Sequence, residues 1–141
     1  MTRRPDWYTR YVDFIEEMRQ TPFEWGVNDC GPAWAGRVVE VITDRENPVA
    51  DAIGRYKSAR GGVRLMRKMG YTDLREAASD MLGQPYQHPS RGVIGDIALI
   101  KTPDGGFGYS FGIVNGERVF FRREDGIGTV DLLETECVFN L

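Results

Sequence analysis

The sequence predicts an α+β fold, with helices from the first part of the chain packed on a small antiparallel sheet built from the last part. Three observations lead there. Apolar residues recur at helical spacing as far as about residue 82. Short β-prone runs, separated by Gly, Pro, Asn and Asp turns, fill the chain from about residue 97. Helices first and strands afterwards, without alternation, exclude a parallel βαβ architecture. At 141 residues, with 41% hydrophobic and 28% charged content, the chain fits one domain over 1–141 that hides about 70% of its unfolded surface around a single core. Its helical part is 1–84 and its sheet part 93–141.

Trp7, Tyr8, Tyr11, Val12, Phe14, Ile15 and Met18 set an amphipathic stripe between Pro5 and Gln20, and Thr21-Pro22 ends it. Phe23 to Asn28 reads as an irregular turn. Asn28 or Asp29 is the expected N-cap of a second helix running to about Ile42, which puts Cys30 and Pro32 in its first turn. Shorter helices are expected at 48–53, 61–69 and 73–82, the last capped by Asp73 and closed by Gly83. Pro85 to Gly92 is a loop. Runs at 97–100, 109–114, 119–121, 129–132 and 137–139, parted by PDGG, NGE and EDGIG turns, read as an antiparallel meander with a hairpin at Asn115-Gly116. The PDGG turn, with Asp104, Gly105 and Gly106, has no following lysine at phosphate-loop spacing, so no nucleotide site is visible.

The net charge of −3 gives no general reason to expect a nucleic-acid partner. Charge is uneven: residues 1–70 carry 12 Lys and Arg against 10 Asp and Glu, and residues 71–141 carry 6 against 11. Arg60, Arg64 and Arg67 crowd one side of a predicted helix, as a solvated face or as a seat for phosphates or an acidic partner. Two cysteines, Cys30 and Cys137, and one histidine, His88, make neither a disulfide framework nor a four-ligand zinc set, so neither metal nor cofactor is expected. No apolar run approaches a membrane span and the charged start lacks a signal-peptide core, which predicts synthesis and folding in the cytoplasm.

The octapeptide FEWGVNDC, Phe23 to Cys30, carries the chemistry. A helix N-terminus favours a thiolate, so Cys30 at a helix start is a candidate nucleophile; it is equally a small hydrophobe packing that start. A nucleophilic thiol needs an imidazole base, a group to orient the imidazole and donors for the oxyanion. His88 is the available base or else a loop residue beside Pro89. Asp96 is a candidate orienter or a strand-entry acceptor for backbone amides. Asp29 is a groove residue or a cap, and facing the sulfur it would raise the thiol pKa. Trp25, with Trp34, lines a groove or packs the core. Phe107, Tyr109 and Phe111 are candidates for a protein contact or alternate faces of a strand.

FEWGVNDC, Gly95-Asp96 leading into IALI, and Gly112-Ile113 through Gly116 resemble the aromatic, Trp-Gly, Asp-Cys signature, the Gly-Asp strand entry and the histidine-bearing strand of NlpC-type cell-wall peptidases, which have a papain-like fold. The ordered set FxWGxxDC, Tyr56-Lys57-Ser58, Arg64 to Gly70, Gly95-Asp96 and Gly112 to Gly116 resembles more closely a family of phage and prophage tail-module proteins related to those peptidases. That resemblance covers nearly the whole chain and implies a virion tail-tip or baseplate component that meets other tail proteins. Where the peptidase strand carries its histidine, this chain has Ser110, and a serine hydroxyl is no general base near neutrality. The expectation is therefore a structural or adaptor protein on an inactive hydrolase fold, with Ser110, Trp25 and Asp29 as groove residues. The alternative is an active cysteine amidase acting on peptidoglycan stem peptides, and a phosphate binder using the arginines ranks last.

Overall fold

A computed structural model describes residues 2–103 and 105–141. Asp104 of the expected PDGG turn lies outside the described residues. The first helix, α1 (Trp7–Gln20), buries Tyr11, Phe14, Ile15 and Met18 of the expected stripe and leaves Tyr8 and Val12 exposed, because the buried face is narrower than the apolar one. Its last carbonyls receive a cation from across the molecule: buried Arg122 donates to Met18 O at 2.6 Å and to Thr21 O, where a positive charge complements the helix dipole.

The second helix begins differently from the expectation. Cys30 stands immediately before a wide helical turn, Gly31–Gly36, which continues into α2 (Arg37–Ile42). The turn is widened because Ala35 N–H reaches back five residues to Cys30 O at 3.4 Å, and the Asn47 side-chain amide takes Pro32 O at 2.8 Å. Gly36 is required there, since a Cβ would lie 2.2 Å from Asn47 Oδ1. The helix expected at 48–53 contracts to one tight turn, Ala50–Ala52. Next come α3 (Ala59–Lys68) and α4 (Leu74–Leu82). Both are capped as N-termini should be: Ser58 accepts from Gly61 N–H and Asp73 from Glu76 N–H.

The five strands are β1 (Ile97–Lys101), β2 (Tyr109–Asn115), β3 (Arg118–Arg123), β4 (Gly126–Asp131) and β5 (Cys137–Phe139). They form one antiparallel sheet in the order β4-β3-β2-β1-β5. Four strands make the expected meander. β5 departs from it by returning to pair with β1 on the far side, Ile97 opposite Phe139 and Leu99 opposite Cys137. The β2–β3 hairpin turns on Gly116 and Glu117, one residue later than Asn115-Gly116; Asn115 pairs with Arg118, and Gly116 alone takes the positive φ of +77°.

The return of β5 follows from burial on both faces of the sheet. Ile97, Ile113, Leu99 and Phe139 face the helices. Ala98, Val114, Val119 and Val138, one residue out of phase, form a second core closed by Leu132 and Tyr86. Tyr86 N–H pairs with Val138 O at 2.9 Å and thereby draws the 85–92 loop over β5.

Asp96 ties these parts together. It is fully buried, and its Oδ1 accepts from Arg3 Nη2 at 2.9 Å and Leu141 N–H at 3.0 Å. Oδ2 accepts from the Tyr86 hydroxyl and Val93 N–H, both at 3.0 Å. Both chain ends, the 85–92 loop and the entry to β1 thus meet at one carboxylate. Burial, with the Asp96 charge beside it, pushes the Tyr86 hydroxyl up to about 12. Asp96→Ala strands four donors and is expected to cost about 3 kcal/mol, measured as a lower urea midpoint with unchanged m-value.

Candidate functional site

The FEWGVNDC turn is a closed loop before the helix. Glu24 and Asn28 exchange backbone hydrogen bonds, Glu24 N–H to Asn28 O at 3.2 Å and Asn28 N–H to Glu24 O at 2.7 Å. Gly26 sits inside it at φ +82°, with its Cα against the Tyr56 carbonyl; a Cβ would lie 1.9 Å from that oxygen. No side chain fits there. Asp29, 1% exposed, organises the turn: Oδ2 accepts from Gly26 N–H at 3.0 Å and from the Tyr56 hydroxyl, and Oδ1 from Gly31 N–H at 3.1 Å. The cap thus comes from Asp29 one position ahead of the helical entry, and its oxygens are occupied by those donors rather than turned to a base's task. Burial, then the hydrogen bond to Asp29, raises the Tyr56 hydroxyl far above its ordinary value.

Cys30 is half-buried and faces β2. Val114 N–H to Asp96 O and Thr102 N–H to Gly108 O set the hydrogen-bond phase of the β1–β2 pair, so Phe111 N–H points away from β1. The β2–β3 ladder ends at Gly112 opposite Phe121, where β3 swings Arg122 toward α1. Phe111 N–H is therefore free to point at the Cys30 sulfur. Burial pushes the Cys30 thiol up to about 11, the Asp29 charge pushes the same way, and Phe111 N–H opposes them. At neutral pH the sulfur is a protonated thiol.

The other sequence candidates are dispersed. His88 is exposed on the far side of the sheet, where its Nδ1 accepts from Ser90 N–H at 3.1 Å ahead of the turn Pro89–Arg91. That loop packs on β5 through Gly92 against Val138, on the face away from the helices, so the sheet separates His88 from Cys30. Asp96 orients no imidazole, because its four donors come from the chain ends and the β1 entry. Ser110 pairs with Ile100 and shares the Val138 face; it does not line the groove at Cys30. Alternation along β2 presents Phe111 to the helices instead. Trp34 is fully buried against Phe14, and Cys137 is buried under α4.

Trp25 remains with Cys30. Its ring stacks on Phe107 at 6.4 Å and meets Phe23 edge-on at 4.9 Å, while Nε1 donates to Glu124 Oε1 at 3.2 Å. Trp25 and Phe107, with Tyr56, Phe111 and Cys30, border an apolar cavity of about 110 Å³ that runs beneath α3 and α4. Its walls include Leu65, Met66, Met69, Leu74 and Met81. The sequence carried no signal for it, because its wall comes from five stretches separated along the chain. Among the described residues there is no group of three or more His, Cys, Asp or Glu placed to hold a metal ion, and no helix long and apolar enough to cross a membrane.

The molecule is an α+β protein with a protonated thiol at the entry to its second helix, facing a five-stranded antiparallel sheet. Over residues 2–141 it matches the family described as a domain of unknown function, DUF6950, and it belongs to that family. No curated protein and no solved structure matches the chain.

Two outcomes follow from this geometry. Stability from burying the neutral thiol is fully present below pH 9, the thiol's ordinary value, and is lost as pH rises toward about 11. Unfolding curves of the protein and of Cys30→Ala should therefore diverge between pH 9 and 11, with the wild type losing more. Tyr56→Phe removes one of the three donors to a buried carboxylate and should cost about 1.5–3 kcal/mol by urea denaturation.

Proposed function

We propose that this protein is a structural or adaptor component of a phage-like tail tip or baseplate, built on a papain-type fold of the NlpC kind whose hydrolase apparatus is lost. The observation that carries the loss of catalysis is the surroundings of Cys30. The thiol stands at the helix entry and faces the sheet, as a nucleophile would, but the side chain on the facing strand is Phe111 and the nearest carboxylate is Asp29, which opposes ionisation. Nucleophilic attack needs a base within hydrogen-bond reach of the sulfur, and His88 is across the sheet. The tail assignment is supported by the ordered run FEWGVNDC, Tyr56-Lys57-Ser58, Gly95-Asp96 and Gly112 to Gly116. On this reading the protein is made in the host cytoplasm, ends in the virion tail and meets other tail proteins.

A second reading, an amidase acting on peptidoglycan stem peptides with its base supplied by a neighbouring chain, draws on one observation: Phe111 N–H is aimed at the sulfur and favours the thiolate. Particles carrying Cys30→Ala separate the two. The adaptor reading expects normal assembly and unchanged infectivity; normal assembly with infectivity lost would overturn it in favour of the hydrolase.

A further inference from the structure

We propose that the cavity beneath α3 and α4 is a binding site for a small uncharged apolar group about the size of an aromatic ring. Its volume, about 110 Å³, approaches the roughly 150 Å³ of an engineered leucine-lined cavity that stays dry and takes up benzene. Its lining is almost wholly apolar, so water has few partners inside and gains little by entering.

Three features define the ligand. First, the polar groups at the border are already committed. Asp29 holds three donors and the Tyr56 hydroxyl is one of them, while Cys30 contributes a neutral thiol. An ammonium or a carboxylate inside would have no free counter-charge, and burying it unpaired is prohibitive. Second, Met66, Met69 and Met81 contribute to the wall, and methionine's flexible thioether adjusts to ring shapes and favours contact with aromatic faces. Third, Ala35, Ala77 and Ala78 also contribute; a single leucine at one of them would occupy much of the space. Lining residues from every segment, among them Trp25, Pro48, Leu65, Tyr71, Met81 and Phe107, are partly exposed, so the cavity meets solvent along its length. This inference is independent of the adaptor reading and of any catalytic use of Cys30.

The test is a titration of methyl-labelled methionine protein with toluene, and in parallel with benzoate and benzylamine. Toluene should shift the Met66, Met69 and Met81 methyl resonances while leaving Met18, on the core face of α1, in place. It should bind at least about tenfold more tightly than either charged analogue, since each tenfold is only 1.4 kcal/mol. Ala78→Leu should abolish the toluene shifts by filling the cavity. If that variant does not fold, Ala77→Met makes the same test from the neighbouring position. Methionine resonances unmoved at the toluene solubility limit, equal binding of benzoate, or undiminished toluene binding in a folded filled variant would each overturn the proposal.

Discussion

Asp29 holds three donors from three directions: Gly26 N–H within the turn, Gly31 N–H at the helix entry and the Tyr56 hydroxyl from the segment before α3. Remove the carboxylate and the FEWGVNDC loop, the start of the second helix and the Tyr56 strap lose their common acceptor. The loop is also sealed from the other side, because Gly26 packs on the Tyr56 carbonyl with no room for a side chain. Everything at the site is positioned by this closure: Trp25 against Phe107, Cys30 against β2, and the stretch of cavity wall between them. A buried carboxylate is costly unless its oxygens are fully engaged. The same requirement that satisfies Asp29 leaves it no capacity to serve the neighbouring sulfur.

That constraint has a chemical consequence. A thiol at a helix entry ordinarily ionises more easily, yet here burial and the adjacent Asp29 charge outweigh Phe111 N–H. Position along the chain and electrostatic environment point in opposite directions, and the environment decides the protonation state. Asp96 plays the corresponding part at the other pole of the sheet, where a candidate orienter of an imidazole instead joins the chain ends to the strand entry.

Much of the backbone was legible because local signals suffice for it. The buried positions of α1, the Asp73 cap with Gly83 after it, and four of the five β-prone runs lie where periodicity and turn residues placed them, whereas β4 begins at Gly126, inside the expected EDGIG turn. The departures share one cause, interactions between segments far apart in sequence. Asn47 takes the Pro32 carbonyl and widens a helical turn; Val138 and Leu132 close a second core and bring β5 back beside β1. The site was legible only in part. Cys30, Asp29 and Trp25 stay together because they are neighbours in the chain, whereas His88, Asp96 and Ser110 belong to other faces.

By itself the sequence determined the α+β class, the element order and the presence of one cysteine at a helix entry. These depend on contacts within a few residues, and amphipathic spacing and capping residues encode them directly. Tertiary structure alone decided which side of each strand met the helices, and so that Phe111 rather than Ser110 faces the sulfur. It also decided that His88 lies beyond the sheet and that three methionines and four alanines from several segments line one cavity. The physical reason is that face selection and burial are settled by the global competition for the core, to which no single stretch of chain has access.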